Sequence, residues 1–132
     1  MELYREYEFE MKENERIAKE QIKIRDGLQS YEHKKNENLM VKNELNLLEE
    51  GDIVYKLIGP ILVQQDTNES KLQVDHRLEL INKEISKLDR TYKENEIKMD
   101  NKRKKIQDIQ AKLIQMSKQI QAMQQQQQQQ GK

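Results

Sequence analysis

The residues that most often carry chemistry in proteins are few in this chain and far apart. The histidines are His33 and His76, and there is no cysteine. His76 follows Asp75, a pair that could act as a base and its orienting acid in an enzyme. Neither histidine belongs to an HExxH pattern or to a cysteine and histidine pattern typical of zinc sites. We therefore expect solvated histidines, no catalytic residues, no metal site, no cofactor and no enzyme activity.

The basic run at residues 101–105, NKRKK, is the other group of residues with a possible binding role. The chain as a whole has 24 basic and 24 acidic residues. Nucleic-acid binders usually carry a basic excess, because neutralised phosphates supply much of their affinity. We interpret the run as a solvated helix face, with a docking patch for an acidic partner as the alternative.

The composition is unusual for a globular domain. Only 34% of residues are hydrophobic, 36% are charged, and the chain has one Phe and no Trp. Such numbers are typical of long coiled-coil helices or of disorder. The acidic N-terminus lacks the apolar core of a signal peptide, and no apolar run is long enough to cross a bilayer. We expect a soluble protein of the cytoplasm.

A heptad pattern distinguishes these two classes. From Val74 onward, steps of four and three residues reach an almost continuous apolar series, which indicates a coiled coil. We call this series the α2 seam; its members are Val74, Leu78, Ile81, Ile85, Leu88, Tyr92, Asn95, Met99, Lys102, Ile106, Ile109, Leu113, Met116, Ile120 and Met123.

Asn95 and Lys102 are the polar members of the α2 seam. Either they are tolerated gaps, with the lysine methylenes lying along the seam, or they control the register of the coil. The first interpretation is favoured.

The first third of the chain predicts a partner helix with a less regular seam. Ile17, Ile24, Leu28 and Tyr31 share a heptad spacing, whereas Val41, Leu45 and Leu48 fit a seam shifted by one residue, which indicates a local stutter. Glycine favours helix C-termini, so this helix is expected to end near Gly51. Asp66, three residues before Glu69, resembles a capping box that starts the second helix, with Thr67 as a rival N-cap one residue later.

The segment between the helices is apolar and β-prone. Its residues favour strands, and Gly59-Pro60 forms a turn dipeptide. An isolated hairpin is marginal in water, so strands from other chains are expected to pair with it. The alternative is an apolar loop folded against the helix ends. The proposed assembly residues are Ile53, Val54, Tyr55, Leu57, Ile58, Gly59, Pro60, Ile61, Leu62 and Val63.

The predicted fold is therefore mainly α. Two long helices, about 3–50 and about 67–123, form an antiparallel coiled coil and are joined by a β-hairpin at about 53–65. The hairpin assembles with others into a β-barrel between subunits. Residues 1–123 form a single domain, and the glutamine-rich residues 124–132 form a disordered tail, with a helical extension as the alternative.

Residues 45–50, LNLLEE, and 54–66, VYKLIGPILVQQD, resemble the β-type subunits of prefoldin. The run at 74–81, VDHRLELI, is also similar. The resemblance implies a hexamer of two α-type and four β-type subunits, whose strands form one β-barrel that carries six coiled coils. It also implies ATP-independent capture of unfolded clients such as actin and tubulin, delivery to the cytosolic chaperonin, and no binding of nucleic acid or membrane.

In prefoldins the clients bind at the free ends of the coiled coils. The resemblance therefore implies client contacts at Leu3, Tyr4, Tyr7, Phe9, Met116, Ile120 and Met123. Two other classes of protein stay open on the residues alone. A coiled-coil tether that dimerises through its heptads would not need the β segment. A zipper-type DNA binder would need a basic region before the heptads, which this chain lacks.

Overall fold

Two long α-helices and one antiparallel β-hairpin make up the chain. The structure is a computed structural model that describes residues 2–130. Helix α1 spans Glu2–Asn46, strands β1 and β2 span Val54–Ile58 and Ile61–Gln65, and helix α2 spans Thr67–Gln130. The predicted fold class, two long helices joined by one short hairpin, is confirmed.

Helix α1 ends four residues before the predicted position. The amides of Leu47 and Leu48 donate to the carbonyls of Glu44 and Leu45, three residues back, at 3.1 and 3.2 Å. These bonds tighten the last turn and close the helix. Gly51 has a φ of 96°, so it takes the expected positive-φ conformation in the turn after the helix and not at its cap.

Helix α2 begins where the sequence predicts and ends later. The amide of Ser70 donates to the carbonyl of Asp66 at 2.9 Å, the first helical hydrogen bond expected from an N-cap residue. The helix continues to Gln130, whereas the sequence predicted a disordered tail from residue 124. Glutamine is a good helix former, so the run has no local reason to end the helix. The last two residues of the predicted tail lie outside the described residues.

The hairpin turn depends on Gly59 and Pro60. The five residues of each strand pair in register, from Val54 with Gln65 to Ile58 with Ile61. Gly59 has a φ of 58°, whereas a proline ring restricts φ to about −65°. A positive φ at the first central residue only is the geometry of a type II′ turn, whose twist matches that of the two strands.

The helices and hairpin form two compact units. We call Ile24–Thr91 the hairpin unit, and the residues up to Lys23 together with those from Tyr92 onward the terminal unit. In the hairpin unit, Leu45, Val74 and Leu78 form a buried cluster against which Leu48 and Val54 pack. In the terminal unit, Ile17, Ile106 and Ile109 are buried.

The predicted stutter in α1 is not present. Lys42 is half-buried at the heptad position and its Nζ lies 2.9 Å from Asp75 Oδ1, whereas Val41 is 43% exposed. A lysine therefore occupies a seam position that sequence reasoning assigned to a neighbouring valine. Its long side chain can lie along the seam while its charge reaches an acidic group at the edge.

Candidate functional site

The β-hairpin is the most apolar exposed surface of the hairpin unit. Leu57 and Leu62 are cross-strand partners, and their side chains are 66% and 64% exposed. Among the predicted assembly residues, Val54 alone is half-buried; the others are exposed, namely Ile53, Tyr55, Leu57, Ile58, Gly59, Pro60, Ile61, Leu62 and Val63. The apolar loop folded against the helix ends, which was the alternative interpretation, is therefore wrong.

The hairpin is held at its base and exposed beyond it. Val54 packs against the cluster of Leu45, Val74 and Leu78. On the paired strand, Gln65 Nε2 donates to Gln73 Oε1 of α2 at 3.1 Å. These contacts fix the direction in which the strands leave the helices, so the exposed part of the hairpin is presented in a defined orientation.

The sheet offers two free edges in the part of the chain that the structure describes, because it consists of β1 and β2 only. Each outer edge presents backbone N–H and C=O groups that a further strand can pair with. Two strands alone are marginally stable in water, whereas three or more with an apolar face are stable. The geometry therefore suits addition of strands from other chains.

The residues predicted to contact clients lie in the terminal unit, at the ends of both helices. Leu3 and Tyr7 are half-buried, and the others, Tyr4, Phe9, Met116, Ile120 and Met123, are exposed. The rings of Tyr4 and Tyr7 are 6.4 Å apart, and Gln110 Nε2 donates to the Tyr7 hydroxyl at 3.3 Å. Leu113 is half-buried, and the α2 seam becomes exposed beyond it.

Met11 and Ile114 are further exposed apolar residues of the terminal unit, and the heptad pattern did not identify them. Ile114 directly follows the seam residue Leu113, and Met11 directly follows Glu10, which is buried, so both flank the helix interface and do not enter it. In the sequence, an apolar residue directly after an apolar seam position, such as Ile114 after Leu113, was the signal that could have identified this surface. These flanking residues widen the apolar surface of the terminal unit.

The polar members of the α2 seam make specific contacts across the terminal unit. Asn95 Nδ2 donates to Gln21 Oε1 at 3.0 Å, and Gln21 Nε2 donates to the carbonyl of Tyr92, also at 3.0 Å. Gln21 and Asn95 are both buried. We call this pair the amide layer. The favoured interpretation of Asn95 was a tolerated gap, which does not account for its hydrogen bond to Gln21 on the other helix.

Glu10 is the centre of a second polar contact. Lys102 Nζ donates to Glu10 Oε2 at 2.9 Å, and Lys105 Nζ lies 3.1 Å from Glu10 Oε1. The residue Glu10 is only 4% exposed. The hydrogen bond from Lys102, with a further one from Lys105, holds the pKa of Glu10 below its ordinary value of 4.5 despite the opposing effect of burial. We call this group the ionic layer.

The ionic layer includes part of the basic run. Lys102 and Lys105 contact Glu10, and Arg103 Nη1 lies 3.7 Å from Asp100 Oδ1. Lys102 lies in the seam, as its heptad position predicted. Arg103, Lys104 and Lys105 are exposed, as expected of a solvated helix face, and the docking patch for an acidic partner stays a prediction.

Acid should weaken the terminal unit through Glu10. Because its folded pKa is lowered, the stabilisation is complete above the unfolded value of 4.5 and is lost as the pH falls through the folded pKa. Thermal unfolding followed by circular dichroism should therefore show a larger loss of Tm between pH 7 and pH 3 for the wild type than for Glu10→Gln. Parallel pH profiles of the two proteins would contradict a stabilising role of the Glu10 charge.

Both histidines belong to the hairpin unit. His33 Nε2 is 3.0 Å from Glu37 Oε1 on the same exposed helix face, and His76 is also exposed. Within residues 2–130, no group of three His, Cys, Asp or Glu side chains could hold a metal ion. In the same range, no helix is long and apolar enough to span a bilayer.

The family described as prefoldin subunit matches residues 8–112. Prefoldin subunit 6 of Arabidopsis thaliana is 47% identical over 77 residues, which are 58% of this chain and 60% of that protein. Probable prefoldin subunit 6 of Caenorhabditis briggsae is 34% identical over 115 residues, 87% of this chain and 90% of that protein.

A solved structure has a similar fold. The prefoldin beta subunit of Thermococcus strain KS-1 superposes with a TM-score of 0.74 at 16% identity, and the match covers 78% of this chain and 90% of that chain. At this identity the similarity concerns the fold alone.

Proposed function

Because this chain belongs to the prefoldin subunit family, we propose that it is an ATP-independent co-chaperone subunit of a hetero-hexamer in the cytoplasm. In this proposal its hairpin joins those of α-type and β-type prefoldin subunits. The assembled coils bind unfolded polypeptides, such as actin and tubulin, and deliver them to the cytosolic chaperonin.

The exposed apolar hairpin is the observation that carries the proposal. Leu57, Leu62 and their neighbours are largely exposed on a sheet of two strands. Burial of apolar surface contributes about 25 cal/mol per Å², and edge pairing satisfies the free backbone groups. Strands from other subunits bury the apolar side chains and pair with the free backbone groups at the same time. Assembly therefore removes the main source of instability of the hairpin in the single chain.

Client capture is supported by the apolar residues of the terminal unit. Met116, Ile120 and Met123 are exposed along one seam of α2, and methionine adapts to irregular apolar surfaces. One such end binds an unfolded chain weakly. Several ends on one platform bind it together with a much higher avidity, and a second apolar surface can then compete for the client without ATP.

A coiled-coil tether is the alternative function. A tether that dimerises through its heptads needs no strands, and its helix would run through residues 51–66. In this chain that segment contains both strands and a turn with Gly59 at positive φ. The alternative leaves the exposed hairpin without a role.

Suppression of aggregation tests the client surface. In the reconstituted hexamer, the triple variant Met116→Ser, Ile120→Ser and Met123→Ser should lower the capture of chemically unfolded actin at least about fivefold, because three apolar contacts are removed. The readout is light scattering after dilution of the client from denaturant, with native mass measured in parallel.

The control is Ile97→Ser, which alters a residue of α2 that is similarly exposed but off the seam. It should leave both capture and native mass unchanged. Full capture by a triple variant that still assembles would overturn the assignment of the client surface, whereas loss of capture with intact assembly supports it.

A further inference from the structure

The terminal unit buries polar groups where a coiled coil normally buries apolar ones. Gln21, Asn95 and Glu10 occupy seam positions and are each at least nine-tenths buried. Leucine at these positions would bury more apolar surface, so the polar groups cost stability relative to an apolar seam. A role in specificity explains why these positions hold polar residues and not the apolar ones that would stabilise the seam more.

We propose that the amide layer and the ionic layer select the partner and the register of the helix pairing in the terminal unit. They favour the pairing of α1 with the α2 helix of the same chain, in the observed antiparallel register. They disfavour slipped pairings and pairings between like helices of different chains. The proposal goes beyond the proposed chaperone function and does not depend on it.

The contacts are matched in the observed register. Gln21 uses its carbonyl oxygen to accept from Asn95 and its amide nitrogen to donate to the Tyr92 carbonyl. Glu10 accepts from Lys102 and pairs with Lys105. A buried polar group that loses its partner carries the full cost of desolvation, so a pairing that separates these groups is strongly penalised.

A slip by one heptad separates the ionic layer in either direction. The seam position now held by Lys102 would be taken by Ile109 or by Asn95, so Glu10 would lose its seam lysine. Lysine recurs at the flanking position, at residues 98, 105 and 112, so Lys105 is replaceable in a slipped register. Lys102 and the amide layer therefore carry the register information, and Lys105 does not.

Pairing of like helices is disfavoured by charge. Two α1 helices aligned in parallel would place Glu10 against the Glu10 of a second copy, and two parallel α2 helices would do the same with Lys102. Like charges at a buried seam destabilise each other. An apolar seam would accept all these pairings.

A distance measurement tests the proposal directly. The chain has no cysteine, so Lys12→Cys and Lys112→Cys can carry two nitroxide labels at exposed positions of the full chain. A slip of one heptad moves the helices by about 10 Å along each other. Pulsed electron resonance on labelled chain diluted with unlabelled chain reports distances within one molecule, and singly labelled chain reports pairing between molecules.

The decisive variant replaces both layers with Gln21→Leu, Asn95→Leu, Glu10→Leu and Lys102→Leu. We expect one distance within the wild-type chain. The variant should melt at a higher temperature and show a second distance within the chain, or a new distance between singly labelled chains. The conservative variant Ile17→Leu, which alters a buried apolar seam residue, should behave as the wild type.

A single unchanged distance in the fully leucine variant, with no new pairing between chains, would overturn the proposal, since the apolar seam would then determine the pairing without help. The higher melting temperature separates this outcome from a failure to fold. Neither result bears on client capture, so the proposed function is tested independently.

Discussion

Replacing Leu57 with lysine and Leu62 with aspartate should abolish assembly of the hexamer while leaving the helices folded. Both side chains are largely exposed in the single chain and lie on the same face of the hairpin as cross-strand partners. In the proposed platform they become buried, where two charges replace apolar contacts and lose their hydration. The opposite charges of the pair keep the hairpin itself intact.

The expected loss is at least about 100-fold in association, which corresponds to about 3 kcal/mol. Native mass after mixing with an α-type partner measures it, and far-ultraviolet circular dichroism checks the helices. Ile97→Asp serves as the control, because this residue is similarly exposed, at 63%, but lies in the part of α2 that belongs to the terminal unit. A hexamer that forms normally with the charged hairpin would disprove the shared β platform.

Leu78→Ala should destabilise the hairpin unit by about 2–3 kcal/mol, near the lower end of the range for buried leucines. Leu78 belongs to the buried cluster with Leu45 and Val74, on which Val54 of the hairpin packs. The truncation removes apolar contacts and leaves a cavity that the two helices fill only partly. The free energy of unfolding in urea measures the loss.

Unfolding should be measured in the Leu57→Lys and Leu62→Asp background, because assembly would otherwise add to the apparent stability. The matched control is Leu80→Ala, two residues further along the same helix, whose side chain is half exposed. Its effect should be within about 0.5 kcal/mol. Equal effects of the two substitutions would show that the cluster does not hold the base of the hairpin.

Heptad spacing and turn chemistry explain why most of the fold was predictable. The α2 seam is set by local periodicity, which a helix converts directly into one face. The hairpin follows from β-branched residues on both sides of the turn dipeptide Gly59-Pro60. The helix start at residue 67 follows from a local hydrogen bond to Asp66. All these features depend on neighbours along the chain.

The features that were predicted wrongly depend either on residues distant in sequence or on a competition between two local conformations. Lys42 lies at a seam position because Asp75 of α2 is within reach of its charge, and no local pattern in α1 shows that partner. The end of α1 at Asn46 results from three-residue hydrogen bonds in competition with a continuing helix. Propensities alone do not decide such a competition between states of similar energy.

The sequence by itself determined the element order, the α2 seam and the presence of an apolar hairpin, because these features arise from periodicity and backbone preference. Only the tertiary structure decided that Asn95 meets Gln21 and that Lys102 meets Glu10. A buried polar group is favourable or costly according to its partner, and that partner lies more than 70 residues away along the chain.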